Sequence, residues 1–254
     1  MRDALVQVAV VTPYFKEPDA TLERCLASVR QQSRPATHIL VADGHPRALV
    51  DRAGVRHLRL DRAHGDAGNA ARGLGALLAV AEEFDAIAFL DADNWFDEAH
   101  VATCLETAQE PGERADFVVA RRRLMRPDGS VLRESAEEDD RGQHIDTNCL
   151  FLLRPSFHVA ARWAAMPKAL YEVGDRVFLR LLLAERLRAR RCTTTTVNYL
   201  CTWRSPYLAE NEEPPASAKP DPDPAHFDLW WRSLDASQKL VASRLVGFPL
   251  VKGT

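Results

Sequence analysis

Residues 6–12 form a near-continuous apolar, β-branched run, the pattern of a strand buried on both faces, and the run is expected to stop at Pro13. Polar residues follow, with Asp19 or Thr21 placed to cap a helix whose apolar face is Leu22, Cys25, Leu26 and Val29 and whose end falls before Pro35. Residues 38–42 predict a second strand, Asp43, Gly44 and Pro46 a turn, and residues 55–60 a short third strand. A loop at His64, Gly65 and Asp66 leads into an Ala- and Leu-rich helix that runs to about Phe84, and residues 86–90 predict the next strand.

That succession of strand, helix, strand, strand, helix, strand implies a mostly parallel sheet, because parallel neighbours need crossovers and the crossovers place helices on both faces. In such three-layer α/β sandwiches of Rossmann-like build, ligands lie beyond the carboxyl ends of the strands. The unusual polar residues Thr12, Tyr14, Asp43, Asp91 and Asp93 fall at those ends. Past about residue 115 the pattern changes. Strands at 117–122 and 131–133 flank a turn at Pro127, Asp128 and Gly129, a hairpin that adds a small antiparallel portion. The acidic residues 137–140 read as a solvated loop, 148–153 as a strand, and 173–188 as a helix with Val177, Leu181, Leu182 and Leu187 on its apolar face. Prolines and acids dominate residues 210–225, an irregular excursion or lid, and residues 227–246 read as one amphipathic helix carrying Trp230 and Trp231.

The chain of 254 residues is long enough for one large α/β domain or two small ones. Lys and Arg total 33 against 36 Asp and Glu, a net charge of −3, which argues against a dedicated nucleic-acid binder. The five cysteines, Cys25, Cys104, Cys149, Cys192 and Cys201, are scattered and form no CxxC pair, so neither a disulfide framework nor a structural zinc site is indicated. A reducing, cytoplasmic location is the expectation. The opening residues show no secretory signal and no apolar run is long enough to cross a bilayer, which leaves a soluble protein with at most peripheral membrane contact.

The strongest chemical signal is the run Phe89, Leu90, Asp91, Ala92, Asp93, Asn94. Two carboxylates at the end of a buried strand must be solvated, used as caps or neutralised, because unpaired ions beside an apolar core are costly. Mn²⁺ or Mg²⁺ neutralises them well, since these ions take hard oxygen ligands and combine one or two carboxylates with substrate phosphates. As a cap for the next helix, Asp97 stands better placed, directly before Glu98 and Ala99. Asp43 can accept from a ribose hydroxyl or a nucleobase N–H, or close an Asx turn with Gly44 and Pro46. In the helix start from Gly65 to Asn69, small residues permit close backbone approach, and Arg72 one turn later can reach a diphosphate; helix-to-sheet packing explains the same small residues. No Gly-Lys-Ser/Thr follows, so this is no Walker loop and ATP hydrolysis is disfavoured.

Residues 8–14, then Leu26, Ser28, Val29, Gln31 and Gln32, then Val41, Asp43 and Gly44, then 69–75 and 89–93, resemble the successive motifs of glycosyltransferase family 2. Members of that family are nucleotide-sugar transferases with the GT-A fold, and the resemblance covers roughly residues 6–200. It implies that Thr12, Pro13 and Tyr14, together with Asp43, hold the nucleotide, and that Asp91, Ala92 and Asp93 are the Asp-x-Asp motif binding metal and diphosphate. The family's later acidic pair, usually Glu-Asp, opens a helix beneath the acceptor site, and its Asp is the general base of an inverting displacement. The corresponding stretch here is Tyr171, Glu172, Val173, Gly174, Asp175, with Gly174 where a Glu is usual. Asp175 is the base candidate, because an apolar-periodic helix follows it directly, and Glu172 is the alternative.

The expectation is therefore a metal-dependent inverting glycosyltransferase that moves a sugar from a UDP- or GDP-sugar to a saccharide, lipid or small-molecule acceptor. Residues 1–115 would be the nucleotide-binding half and 116–204 the acceptor half of one GT-A domain, with 205–254 a Pro/acid-rich loop and a C-terminal helix able to pair in a homodimer. Two rivals stand beside it. A sugar-nucleotide-forming nucleotidyltransferase usually needs a Gly-rich basic loop after the first strand, where this chain has Thr12, Pro13, Tyr14, Phe15 and Lys16. A non-catalytic nucleotide-sugar-binding protein is the other, kept open by Gly174. Trp203 borders a sugar site or serves a core or hinge role; Arg121–Arg123 and the cluster Arg186, Arg188, Arg190 and Arg191 read as solvated faces, with contact to phosphate or lipid head groups as the alternative; His144 or His158 as a third metal ligand is a minor alternative.

Overall fold

The computed structural model describes residues 6–112, 114–136, 144–221 and 223–250; the acidic loop expected at 137–140 lies outside them. The first half is β1 (Val8–Tyr14), α1 (Asp19–Arg30), β2 (Thr37–Ala42), α2 (Ala48–Asp51), β3 (Arg56–Arg59), α3 (Asn69–Ala81) and β4 (Ala86–Phe89). β1 pairs with β2 and β4, and β2 with β3, all in parallel. Successive side chains of a strand point to opposite faces, and β1 uses this to hold two helices. Thr12 touches Cys25 of α1, whereas neighbouring Val11 lies against Gly75 of α3, where a Cβ would stand 2.5 Å from the Val11 side chain. The expected three-layer arrangement follows.

The second half contributes β5 (Trp95–Phe96), α4 (His100–Gln109), β6 (Phe117–Met125), β7 (Val131–Ala136), β8 (Leu150–Leu153), α5 (Phe157–Ala160), α6 (Arg162–Ala165), α7 (Gly174–Ala184), β9 (Ala189–Leu200), α8 (Arg204–Ala209), α9 (Pro224–Ser233) and α10 (Ala236–Val246). The described strands form one sheet in the order β3-β2-β1-β4-β8-β6-β9-β5, with β7 on β6. β8 joins antiparallel to β4 and β6, the predicted β6–β7 hairpin is antiparallel, and β9 runs parallel to β6. Trp163 of α6 ties helices to sheet: its ring stacks on Phe178 of α7 at 4.4 Å and meets Phe89 of β4 edge-on. Burying an aromatic of this size contributes on the order of 2–3 kcal/mol.

Several sequence expectations give way. β1 continues through Pro13 to Tyr14, because beyond Val11 only β2 flanks it and the missing N–H interrupts no ladder on the β4 side. Pro18, not Asp19 or Thr21, stands at the N-cap of α1, which takes no side-chain cap. α4 starts at His100, so Asp97 does not cap it through its carboxylate; that group instead binds Arg123 at 3.0 Å and Asn198 at 2.8 Å. The single C-terminal helix is two, broken at Leu234 and Asp235, where Asp235 and Gln238 form a capping box. Phe227 of α9 and Ala242 and Val246 of α10 join the main buried cluster. No helix among the described residues is long and apolar enough to cross a membrane.

Candidate functional site

Beyond the carboxyl ends of β1, β2 and β4 opens a cavity of about 440 Å³. Pro13 and Tyr14, Asp43, and the run Asp91, Ala92, Asp93 each reach it from one of those strand ends, and the Gly65–Gly68 turn closes one side. Gly68 is required there: its φ is +79°, and a Cβ would sit 3.0 Å from the Pro13 ring. The sequence therefore places Pro13, Asp43, Asp91 and Asp93 together as anticipated.

The two acids around Ala92 are not equivalent. Asp91 Oδ1 accepts from Arg72 Nη2 at 2.6 Å and Oδ2 from Asn148 Nδ2 at 3.2 Å, while the Asp91 backbone N–H donates to Asn148 Oδ1. No side chain among the described residues donates to the Asp93 carboxylate, and burial, with Asp91 and Glu17 adding repulsion, pushes its pKa up to about 7. Among the described residues no three His, Cys, Asp or Glu side chains gather into a closed metal cage. A half-buried carboxylate short of a partner, beside a second carboxylate at a cavity mouth, is instead the open donor set that Mg²⁺ or Mn²⁺ completes with phosphate oxygens. Asp93 and Asp91 fit such an ion.

Other expected residues are differently employed. Thr12 is fully buried, bonded to His38 Nε2 at 2.8 Å, and does not line the cavity. The Tyr14 hydroxyl is turned to His57 Nε2 at 2.7 Å and accepts from the Arg47 backbone N–H, so it braces the loop. Asp43 accepts from the His64 backbone N–H at 3.0 Å and bonds the His64 ring at 2.7 Å, so its carboxylate braces the distant His64 loop rather than an Asx turn with Gly44 and Pro46, and it lines the cavity. Arg72 is buried over the Trp163 ring and spent on Asp91 and Asn69, which removes it as a free diphosphate clamp. Charge balance explains the outcome: a buried guanidinium beside a carboxylate pairs with it.

A second cavity, of about 480 Å³, contains both base candidates. Asp175, at the start of α7, bonds His144 Nε2 at 2.6 Å and accepts from the Arg176 N–H at 2.7 Å. Glu172 accepts from the Tyr171 hydroxyl at 2.8 Å and lies 3.4 Å from His226. Gly174 packs against Asn69, where a Cβ would stand 3.1 Å from its amide, so the position usual for Glu is occupied by a close helix contact. Tyr199 and Trp203 line both cavities and are bonded to each other, Trp203 Nε1 donating to Tyr199 at 3.2 Å. Burial pushes the Tyr199 pKa up, so the wall stays neutral. Asn148 links the cavities: it bonds Asp91 on one side and Asp146 on the other, and Asp146 holds Arg122 over the Tyr199 ring. Asn148, and Lys219, which lines the first cavity, carry no signal in the sequence because an isolated Asn or Lys forms no pattern, while Trp203 stands out in the segment between Tyr199 and Tyr207.

Comparison with known proteins agrees with this architecture. The profile of the family Glycosyl transferase family 2 matches residues 9–169. No curated protein matches the sequence. Among solved structures, S. aureus TarS 1–349 superposes with a TM-score of 0.59 at 12% identity, covering 94% of this chain and 70% of that one. A TarS 1–349 complex with UDP-GlcNAc gives 0.58 at 11% identity over 94% and 71%. The longer TarS structure gives 0.54 at 11% identity, covering 94% of this chain and 43% of its own. At this identity the similarity shows the fold.

Proposed function

The chain belongs to glycosyltransferase family 2 and is a glycosyltransferase, and from that premise we propose that it moves a sugar from a UDP- or GDP-linked donor to an acceptor hydroxyl with inversion, assisted by Mn²⁺ or Mg²⁺. One observation carries the reading: the strand-end acids and the pair Glu172 and Asp175 occupy two cavities that share the Tyr199–Trp203 wall. A donor seated on the first side and an acceptor on the second bring the anomeric carbon between them. The nucleotidyltransferase rival loses ground on the family match.

Pro13, Phe15 and Asp43 border the space for the nucleoside, and Asp93 with Asp91 would hold the cation. An ion held there would supply positive charge against the departing nucleoside diphosphate. Asp175 takes the proton of the acceptor hydroxyl, and its bond to His144 orients the carboxylate for that task. Glu172, in the same cavity, is the second candidate. The UDP-GlcNAc complex of a TarS structure favours testing uridine nucleotides first. The same low-dielectric surroundings that isolate Asp93 make a divalent partner more valuable there than in water.

The test is calorimetric titration of UDP and GDP with and without Mn²⁺, together with diphosphate release from UDP- and GDP-sugars. Asp93→Ala should lose metal-dependent binding. Asp175→Asn should keep binding within a few-fold and lose about 10²–10⁴ in turnover, as expected for a general base. Metal-dependent binding that survives Asp93→Ala removes the metal assignment, and turnover that survives Asp175→Asn moves the base to Glu172.

A further inference from the structure

The first cavity is charged against the ligand it is to hold. Glu17, Asp43, Asp66, Asp91 and Asp93 all line it, while Lys219 is the one Lys or Arg lining it among the described residues. Arg72 is already committed to Asp91, His64 to Asp43, and Arg24 to the Asp93 backbone carbonyl. A diphosphate entering this space meets three further acids, Glu17, Asp66 and Asp93. Even with a divalent ion on Asp93, the anion needs another positive group.

The Pro/acid-rich segment after α8 supplies it, and its backbone is fixed. Lys219 forms a parallel bridge with Trp203: its N–H donates to the Thr202 carbonyl at 2.7 Å, and its carbonyl accepts from the Arg204 N–H at 3.1 Å. Two residues on, Asp221 accepts from Ser205 at 2.6 Å and lines the second cavity. One short strap thus borders both cavities. The Lys219 ammonium lies 5.8 Å above the Trp203 ring centroid; among the described residues it makes no salt bridge, and Asp93 is the carboxylate that feels its charge. Its chain is exposed while its backbone is pinned, so the ammonium can reach a ligand with little loss of backbone freedom.

We propose that Lys219 binds the diphosphate of the donor, an assignment that rests on the donor reading of the first cavity. In the transfer, the acceptor oxygen forms its bond to the anomeric carbon as the bond from that carbon to the diphosphate oxygen breaks. The acceptor proton goes to the α7 carboxylate, and the electron pair of the broken bond stays on the nucleoside diphosphate. Lys219, on a non-bridging oxygen, stabilises the charge that collects there.

Binding of UDP, GDP and their nucleosides uridine and guanosine, measured by calorimetry in EDTA and again in Mn²⁺, tests this without turnover. Lys219→Ala should weaken diphosphate binding about ten- to hundred-fold, most clearly in EDTA, and leave nucleoside binding unchanged. Lys219→Arg should recover most of the loss. Equal diphosphate affinity in wild type and Lys219→Ala, or an equal loss for nucleoside and diphosphate, overturns the assignment to Lys219 alone. A wild-type chain that binds neither diphosphate overturns the donor reading and this inference with it.

Discussion

Asp91 and Asp93 stand two residues apart and differ in what surrounds them. Asp91 is compensated by Arg72 and Asn148, whereas Asp93 is pushed up to about 7. An acid raised in the folded state favours that state most below its unfolded value near about 3.9, and the benefit is lost as pH rises through the folded value. In metal-free buffer, Asp93→Asn removes the charge at nearly constant shape. Its melting temperature should gain on the wild type's by a few °C between about pH 5 and about pH 8. A constant difference across that range would show that Asp93 ionises freely. The pair was readable in the sequence because two acids directly after an apolar strand demand an explanation. The fates of Thr12 and Arg72 were not readable, since they are decided by His38 and Asp91, partners remote along the chain.

Among the elements, α3 shows how a small residue sets an approach rather than a bend. A Cβ on Gly73 would stand 2.3 Å from the Ala164 backbone nitrogen and 2.6 Å from the Ala164 Cβ, so α3 and α6 touch through backbone. Helix propensity alone favours Gly73→Ala by about 1 kcal/mol. The contact reverses the sign: overpacking of this kind costs about 1–3 kcal/mol, and urea unfolding should find the variant less stable. A more stable variant would mean that α6 moves aside freely. The first-half strands and the two long helices are legible because each apolar run holds one period, whereas α2 (Ala48–Asp51) is a single turn too short to show one. β9 was missed because its arginines and threonines, Ala189–Leu200, alternate too weakly to read as a strand until β6 pairs with it. The C-terminal stretch reads as one helix because its apolar residues continue past Asp235, although Asp235 and Gln238 carry the spacing of a capping box.

At the scale of the molecule, the site lies where a parallel α/β sheet allows it, at the strand ends, and the core beneath carries titratable groups of opposite sign. His38 bonds Thr12 between β1 and β2, and His100 stacks on Phe96 at 3.6 Å and bonds Thr196; burial holds both near about 3. Their unfolded value is about 6.5. A base depressed in the folded state lends stability that is complete above its unfolded value and is lost as pH falls toward the folded one. Unfolding between about pH 4.5 and about pH 6 therefore takes up a proton at each histidine, while Asp93 releases one, for a net uptake near one. Carboxylates held low by partners, such as Asp116 beside Arg188, act below this window. In metal-free buffer, stability should fall by roughly 1.4 kcal/mol for each pH unit lost across it. His38→Gln, which can keep a bond to Thr12 without titrating, should bring that slope close to zero in urea unfolding followed across the window. A slope unchanged by the substitution would mean that His38 already binds its proton in the folded protein.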